Sequence, residues 1–179
     1  MVDYNRTRQS RAFARVDGAY LGLIWVVAFA FFILQYSEPS LGMVNVFISV
    51  LSLFFAYSRL VKFRKQICDD TIGFAGAYVH VLFMFFYAAL IMGLAQYIYF
   101  KFIDNGFLLN SYSNVMLSDE FKEASKASGL SEDNINEVLG QLAKARPVDL
   151  VINILSMNVF GSFFLSIPMA LFAMKRKKN

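Results

Sequence analysis

Four long stretches of the chain are apolar and almost free of charge, and polar segments separate them. Residues 19–36 hold no charge between Asp17 and Glu38, and 41–61 hold none before Arg59. Residues 74–100 hold none at all, and 148–174 carry only Asp149 at their edge. About 20 mainly apolar residues suffice for a helix to cross a hydrocarbon core about 30 Å thick. A lipid-exposed backbone must satisfy its own hydrogen bonds, so each stretch predicts a membrane-crossing helix. The expected fold is all-α, a polytopic membrane protein of four transmembrane helices in one integral membrane domain.

The first stretch follows a basic segment, as a cleaved signal peptide would. It is longer than the usual apolar region of such a peptide, and Gln35-Tyr36-Ser37-Glu38-Pro39 offers no small-x-small cleavage site, so a retained helix is expected.

The link at 101–147 reads as a short helical pair between the third and fourth spans. Ser118-Asp119-Glu120 supplies an N-cap and an acidic first turn, with Gly129 as the stop. Ser131-Glu132-Asp133 opens the second helix, on which Ile135, Val138, Leu139 and Leu142 share a face. That stripe suits either packing on the partner helix or the lipid interface. Pro147 sits where the last helix can begin.

Charge gives the orientation. Arg6, Arg8, Arg11 and Arg15 precede the first span. Arg59, Lys62, Arg64 and Lys65 lie at the second link, and Lys175, Arg176, Lys177 and Lys178 at the C-terminus. Four crossings put these 12 of the 17 basic residues on one side. Loops rich in Lys and Arg stay cytoplasmic. Both termini are therefore expected in the cytoplasm, and the helical pair on the other side of the membrane.

Composition agrees. The chain is 58% hydrophobic and 17% charged, against about 45–50% and about 25% for soluble domains. One Cys excludes an intrachain disulfide framework. Gly18-Ala19-Tyr20 recurs as Gly76-Ala77-Tyr78, and Asn45-Val46-Phe47-Ile48-Ser49 as Asn158-Val159-Phe160-Gly161-Ser162. A duplicated helical hairpin, with parallel repeats about an axis along the membrane normal, would produce this order; chance matching in an apolar background produces it too.

Several strings also resemble a known family: Arg11-Ala12-Phe13-Ala14-Arg15-Val16-Asp17-Gly18 before the first helix, Phe63-Arg64-Lys65 followed by Thr71-Ile72-Gly73-Phe74-Ala75-Gly76-Ala77-Tyr78, and Tyr99-Phe100-Lys101-Phe102-Ile103-Asp104. Together they are similar to the bacterial membrane-protein family catalogued as domain of unknown function 4199. That resemblance implies a four-helix inner-membrane protein with no established activity, and it carries over no catalytic residue.

Candidate chemistry is sparse. His80 is the single histidine, so a bis-histidine haem site within the chain is excluded, and no Gly-x-Ser-x-Gly elbow exists. Cys68 with Asp69-Asp70 matches no zinc spacing. Asp17, Asp104 and Asp149 read as span-end residues, leaving no midplane acid for proton coupling. Asn45, His80 and Asn158 are candidates for an intramembrane polar cluster lining a solute or headgroup path, and hydrogen bonds between helices are the simpler use. Gly18 with Gly22 and Ala89 with Gly93 form small-xxx-small pairs suited to close helix packing, as do Ser52 with Ala56 and Ser162 with Ser166.

The reading that follows is a non-enzymatic accessory or scaffold component of the bacterial envelope, without catalytic residues, cofactor or metal. Its partners would be the lipid bilayer and an envelope protein or further copies of itself, not nucleic acid. The alternative is a small oligomeric transporter or lipid-handling protein.

Overall fold

The computed structural model describes residues 4–127 and 131–175, with side chains over 11–126 and 131–175. Gly129, the basic tail Arg176–Lys178 and the side chains of Arg6 and Arg8 lie outside the described residues. Seven helices are described: α1 Tyr4–Leu34, α2 Leu41–Ile67, α3 Phe74–Phe102, α4 Phe107–Met116, α5 Asp119–Ala127, α6 Glu132–Lys144 and α7 Pro147–Ala173. Four of them, α1, α2, α3 and α7, are long and apolar enough to cross a membrane. This is an all-α polytopic membrane protein.

The chain divides into two compact units, one of Met1–Ala95 with Asn153–Asn179 and one of Gln96–Ile152. In the first unit, α1 and α2 form an antiparallel hairpin whose cross-contacts all lie equidistant from the turn. Phe13 meets Phe63 with tilted rings, their centroids 5.9 Å apart. One turn further on, Asp17 meets Arg59, and beyond them the Trp25 Nε1–H donates to Ser52 Oγ at 3.1 Å. The first two pairs are centred on Glu38 and the third falls within one residue of it, as a straight hairpin requires.

Packing against α3 uses glycine. A Cβ on Gly18 would fall 2.6 Å from the Met84 carbonyl oxygen and 2.7 Å from Tyr87 Cβ, and one on Gly22 would fall 2.8 Å from Ile91 Cβ. A four-residue step along α1 matches a similar step along α3, so the two helices run in the same direction. The core gathers around α3, with Ala77, Val81, Met84, Phe85 and Ala88 against Ala14 and Leu21 of α1, Ala56, Leu60 and Phe63 of α2, and Ala170 and Ala173 of α7.

A clamp ties the end of α7 to the α2–α3 turn. Ile72 and Lys175 exchange backbone hydrogen bonds, Ile72 N to Lys175 O at 3.0 Å and Lys175 N to Ile72 O at 2.9 Å. Arg64 donates through Nη1 to the Ala173 carbonyl at 2.6 Å, satisfying one of the orphan acceptors at a helix C-terminus. Asp70 accepts from Arg64 Nε at 3.0 Å and pairs with Lys175. The Lys175 hydrogen bond, with the charges of Lys175 and Arg64, holds the Asp70 carboxyl below its usual range.

In the second unit, Ser118 and Ser131 cap α5 and α6 as their positions predict, accepting from Phe121 N at 3.3 Å and Asn134 N at 3.2 Å. The link holds a further helix, α4, which both α5 and α6 contact. The expected pair is therefore organised around a helix that no Ser, Thr or charged residue immediately before it announces. Of the apolar stripe on α6, Ile135 is buried, Leu139 and Leu142 are half-buried, and Val138 is exposed.

The candidate span in α1 includes Asp17, which Arg59 neutralises. The duplication, left open by the sequence, fails in register. Gly18 is level with Met84, eight residues past Gly76, about 12 Å along a helix. Tyr57 Oη lies 3.5 Å from the Phe172 carbonyl, and counting back twelve residues on each helix places Asn45 opposite Phe160, close to Asn158. One string pair is level and the other is not, so no single rotation about the membrane normal carries both.

The glycine contacts generate a test. Gly18→Ala forces α1 away from the α3 backbone and is expected to destabilise the bundle by about 1–3 kcal/mol. Gly161→Ala, where an added Cβ meets nothing within 4 Å, should leave stability unchanged or slightly raised. Thermal unfolding of both variants in detergent checks the contrast.

Candidate functional site: a buried ion pair between the first two spans

Asp17 lies on the stripe Ala14, Asp17, Gly18, Leu21, Gly22 that α1 buries. Arg59 lies on α2 beside Leu60, on the turn between the buried Ala56 and Phe63. Arg59 Nε donates to Asp17 Oδ1 at 2.7 Å, and Nη2 approaches the same oxygen at 2.5 Å. Asp17 is 1% exposed, and the Arg59 side chain 22%. These are the charges furthest from the basic ends of α1 and α2. An isolated charge at such depth costs several kcal/mol, whereas an opposed and hydrogen-bonded pair recovers most of that cost.

The neighbouring turn is aromatic. His80 of α3 is completely buried, and its ring stacks on Phe63 at 3.9 Å with an interplanar angle of 6°. Phe13 completes the set from α1, so three helices meet at this level. Beyond the ion pair, Trp25 stacks on Phe85 at 5.8 Å, while Ser52 accepts from Trp25 and donates to the Ser49 carbonyl at 2.7 Å.

The expected cluster of Asn45, His80 and Asn158 does not form. His80 is level with Phe63, and Asn45 is eighteen residues away along α2, about 27 Å. Asn45 and Asn158 are both half-buried toward the opposite end of the unit. The small-residue positions Gly18, Gly22, Ala89 and Gly93 are all buried within the chain, as are Ser52, Ala56, Ser162 and Ser166. No three His, Cys, Asp or Glu side chains among the described residues converge as a metal site would require.

Reading Asp17 as a boundary residue missed the ion pair, yet a signal was present. Asp17 and Arg59 stand twenty-one residues on either side of Glu38 in the turn, and an antiparallel hairpin brings such positions level. Each is the deepest charge on its helix.

A family model described as "Protein of unknown function (DUF4199)" matches residues 17–175, a range that takes in Asp17, Arg59, His80 and the Asp70–Lys175 clamp. The chain belongs to this family. No curated protein and no solved structure matches it. DUF4199 membership is thus joined here to four candidate membrane spans with a charge pair between the first two.

Removing one partner of the pair strands the other in a low-dielectric site. Asp17→Asn and Arg59→Gln are each expected to destabilise the protein by about 3–5 kcal/mol. The exchange Asp17→Arg with Arg59→Asp should recover part of that loss. Unfolding of the singles and the double in one detergent measures the coupling.

Proposed function

We propose that this protein is a non-enzymatic accessory or scaffold component of a bacterial inner membrane, acting through association and not through chemistry of its own. The observation that carries the reading is the mutual neutralisation of Asp17 and Arg59. The deepest charges of α1 and α2 are consumed in holding the hairpin together, and the turn beside them is filled by Phe13, Phe63 and His80. The half-buried Trp25 and the buried Ser52 bond to each other in the same way. The small-xxx-small pairs do not add to the argument, because they are buried inside the chain.

The membrane orientation belongs to the same proposal. The basic excess supports cytoplasmic termini and a cytoplasmic α2–α3 turn, with α4 to α6 on the other side. In a Cys68→Ser background, Glu123→Cys should label with an impermeant thiol reagent on intact spheroplasts. Lys65→Cys should label only after lysis, and equal labelling of both positions rejects the orientation.

Ser49, Asn153 and Ser156 are exposed on α2 and α7, and these polar groups favour a second reading, a small oligomeric transporter or lipid-handling protein. The two readings separate experimentally. An accessory component purified in mild detergent retains a stoichiometric membrane partner, and Val138→Asp, at an exposed α6 position, weakens that retention. Solute or lipid movement by the purified chain alone in liposomes, lost in Asn153→Ala, would establish transport instead.

A further inference from the structure

We propose that α4, together with Phe102 and Ile103 before it, lies in the headgroup–acyl boundary of the membrane that the spans cross, as an interfacial anchor. The inference starts from the corner that joins α3 to α4. Ile103 N and Asp104 N both donate to the Tyr99 carbonyl at 2.9 Å, closing α3. Asn105 and Gly106 then take left-handed conformations, φ 43° and 83°, which Asn and Gly tolerate better than other residues. The Asp104 carboxylate accepts from Gly106 N at 3.1 Å and Leu108 N at 2.9 Å. A corner fixed this way starts α4 within one turn of the end of a membrane-crossing helix.

The level of that corner follows from length. α3 has 29 residues, about 43 Å at 1.5 Å per residue, which matches a bilayer of about 40–45 Å with its headgroups. Phe102 therefore falls at the headgroup level. Lys101 has the form of an interfacial residue: its Nζ bonds Tyr97 Oη at 3.1 Å and lies over the rings of Tyr97 and Phe102 at 5.3 and 5.2 Å. Tyr, Lys and Phe grouped at a span end are what the interface selects.

From Asn105 to Ser118 the chain carries no charge, whereas α5 and α6 are densely charged. At 100° per residue, the half-buried Leu109, Ser113 and Met116 share one side of α4. Asn110 and Asn114 form an exposed polar side. The remaining arc is mainly apolar: Phe107, Val115 and Tyr112 are exposed there, with the half-buried Ser111 and Leu108 between them, and Val115 is some 140° from Asn110. Phe102 is 66% exposed, Ile103 61% and Val115 49%. An apolar face continuous with a span end, backed by protein on one side and amides on the other, fits lipid. Its lack of charge fits insertion driven by apolar area, independent of anionic lipid.

The test is nitroxide accessibility. In a Cys68→Ala background, Ile103→Cys, Val115→Cys and Asn110→Cys are spin-labelled singly in phosphatidylcholine liposomes, with and without phosphatidylglycerol. The oxygen-to-nickel-chelate accessibility ratio is expected to be several-fold higher at positions 103 and 115 than at 110, in both lipid mixtures. Tyr112→Cys supplies the same readout should Val115→Cys fail to fold. A Val115 label as open to the nickel chelate as the Asn110 label places the face in water and overturns the proposal. Labels at 103 and 115 closed to both reagents, as beneath a second copy or another protein, overturn it equally.

Discussion

The Asp17–Arg59 contact is the constraint on which the first unit depends. A carboxylate and a guanidinium within the spans are tolerated only together, so the pair fixes which turn of α1 faces which turn of α2. Once it is level, Phe13 meets Phe63 and Trp25 meets Ser52 without further adjustment, because both pairs are centred on the same turn. Apolar contacts alone specify axial register weakly, since one Leu or Phe replaces another at little cost. A charge pair in a low-dielectric setting penalises every other register by leaving two charges unpaired.

The second constraint is steric. α3 takes α1 against its backbone at Gly18 and Gly22, where even a methyl group would collide. Lipid tails are as apolar as Leu, so helices in a membrane associate through close packing and polar contacts, not through escape from water. The glycine seam and the ion pair meet on neighbouring positions of α1, which makes residues 17–22 the segment where three helices are brought into register. At the same end of the bundle, between one and two turns further along α2, the Arg64–Asp70–Lys175 clamp performs the same task for α7 by tying its last carbonyl groups to the α2–α3 turn.

Much of this was legible in order. The four uncharged stretches set the spans, and Pro147 marked the start of α7. Ser118 and Ser131 marked the starts of α5 and α6. Each signal is local: the run length needed to cross lipid, a missing N–H, or a hydroxyl placed to cap an exposed amide. α4 escaped because its cap is Asp104, acting across a left-handed Asn-Gly turn from a position that reads as the end of the preceding span. His80 was recognisable as the single intramembrane imidazole, but its partner was not, because nothing in the spacing of α2 says that Phe63 rather than Asn45 lies at its level.

By itself the sequence determined the all-α class, the number of spans and the side that collects basic charge. These depend on hydropathy, length and counting, which need no partner. Tertiary structure alone decided that Asp17 is buried and paired with Arg59, and that Asn45 and Asn158 stand far from His80. It also decided that the Gly-Ala-Tyr strings lie at different depths. These are questions of level and rotation between helices. Each helix can slide or turn about its axis without changing its own hydropathy, so only the contacts among Gly18, Met84, Asp17 and Arg59 settle the register.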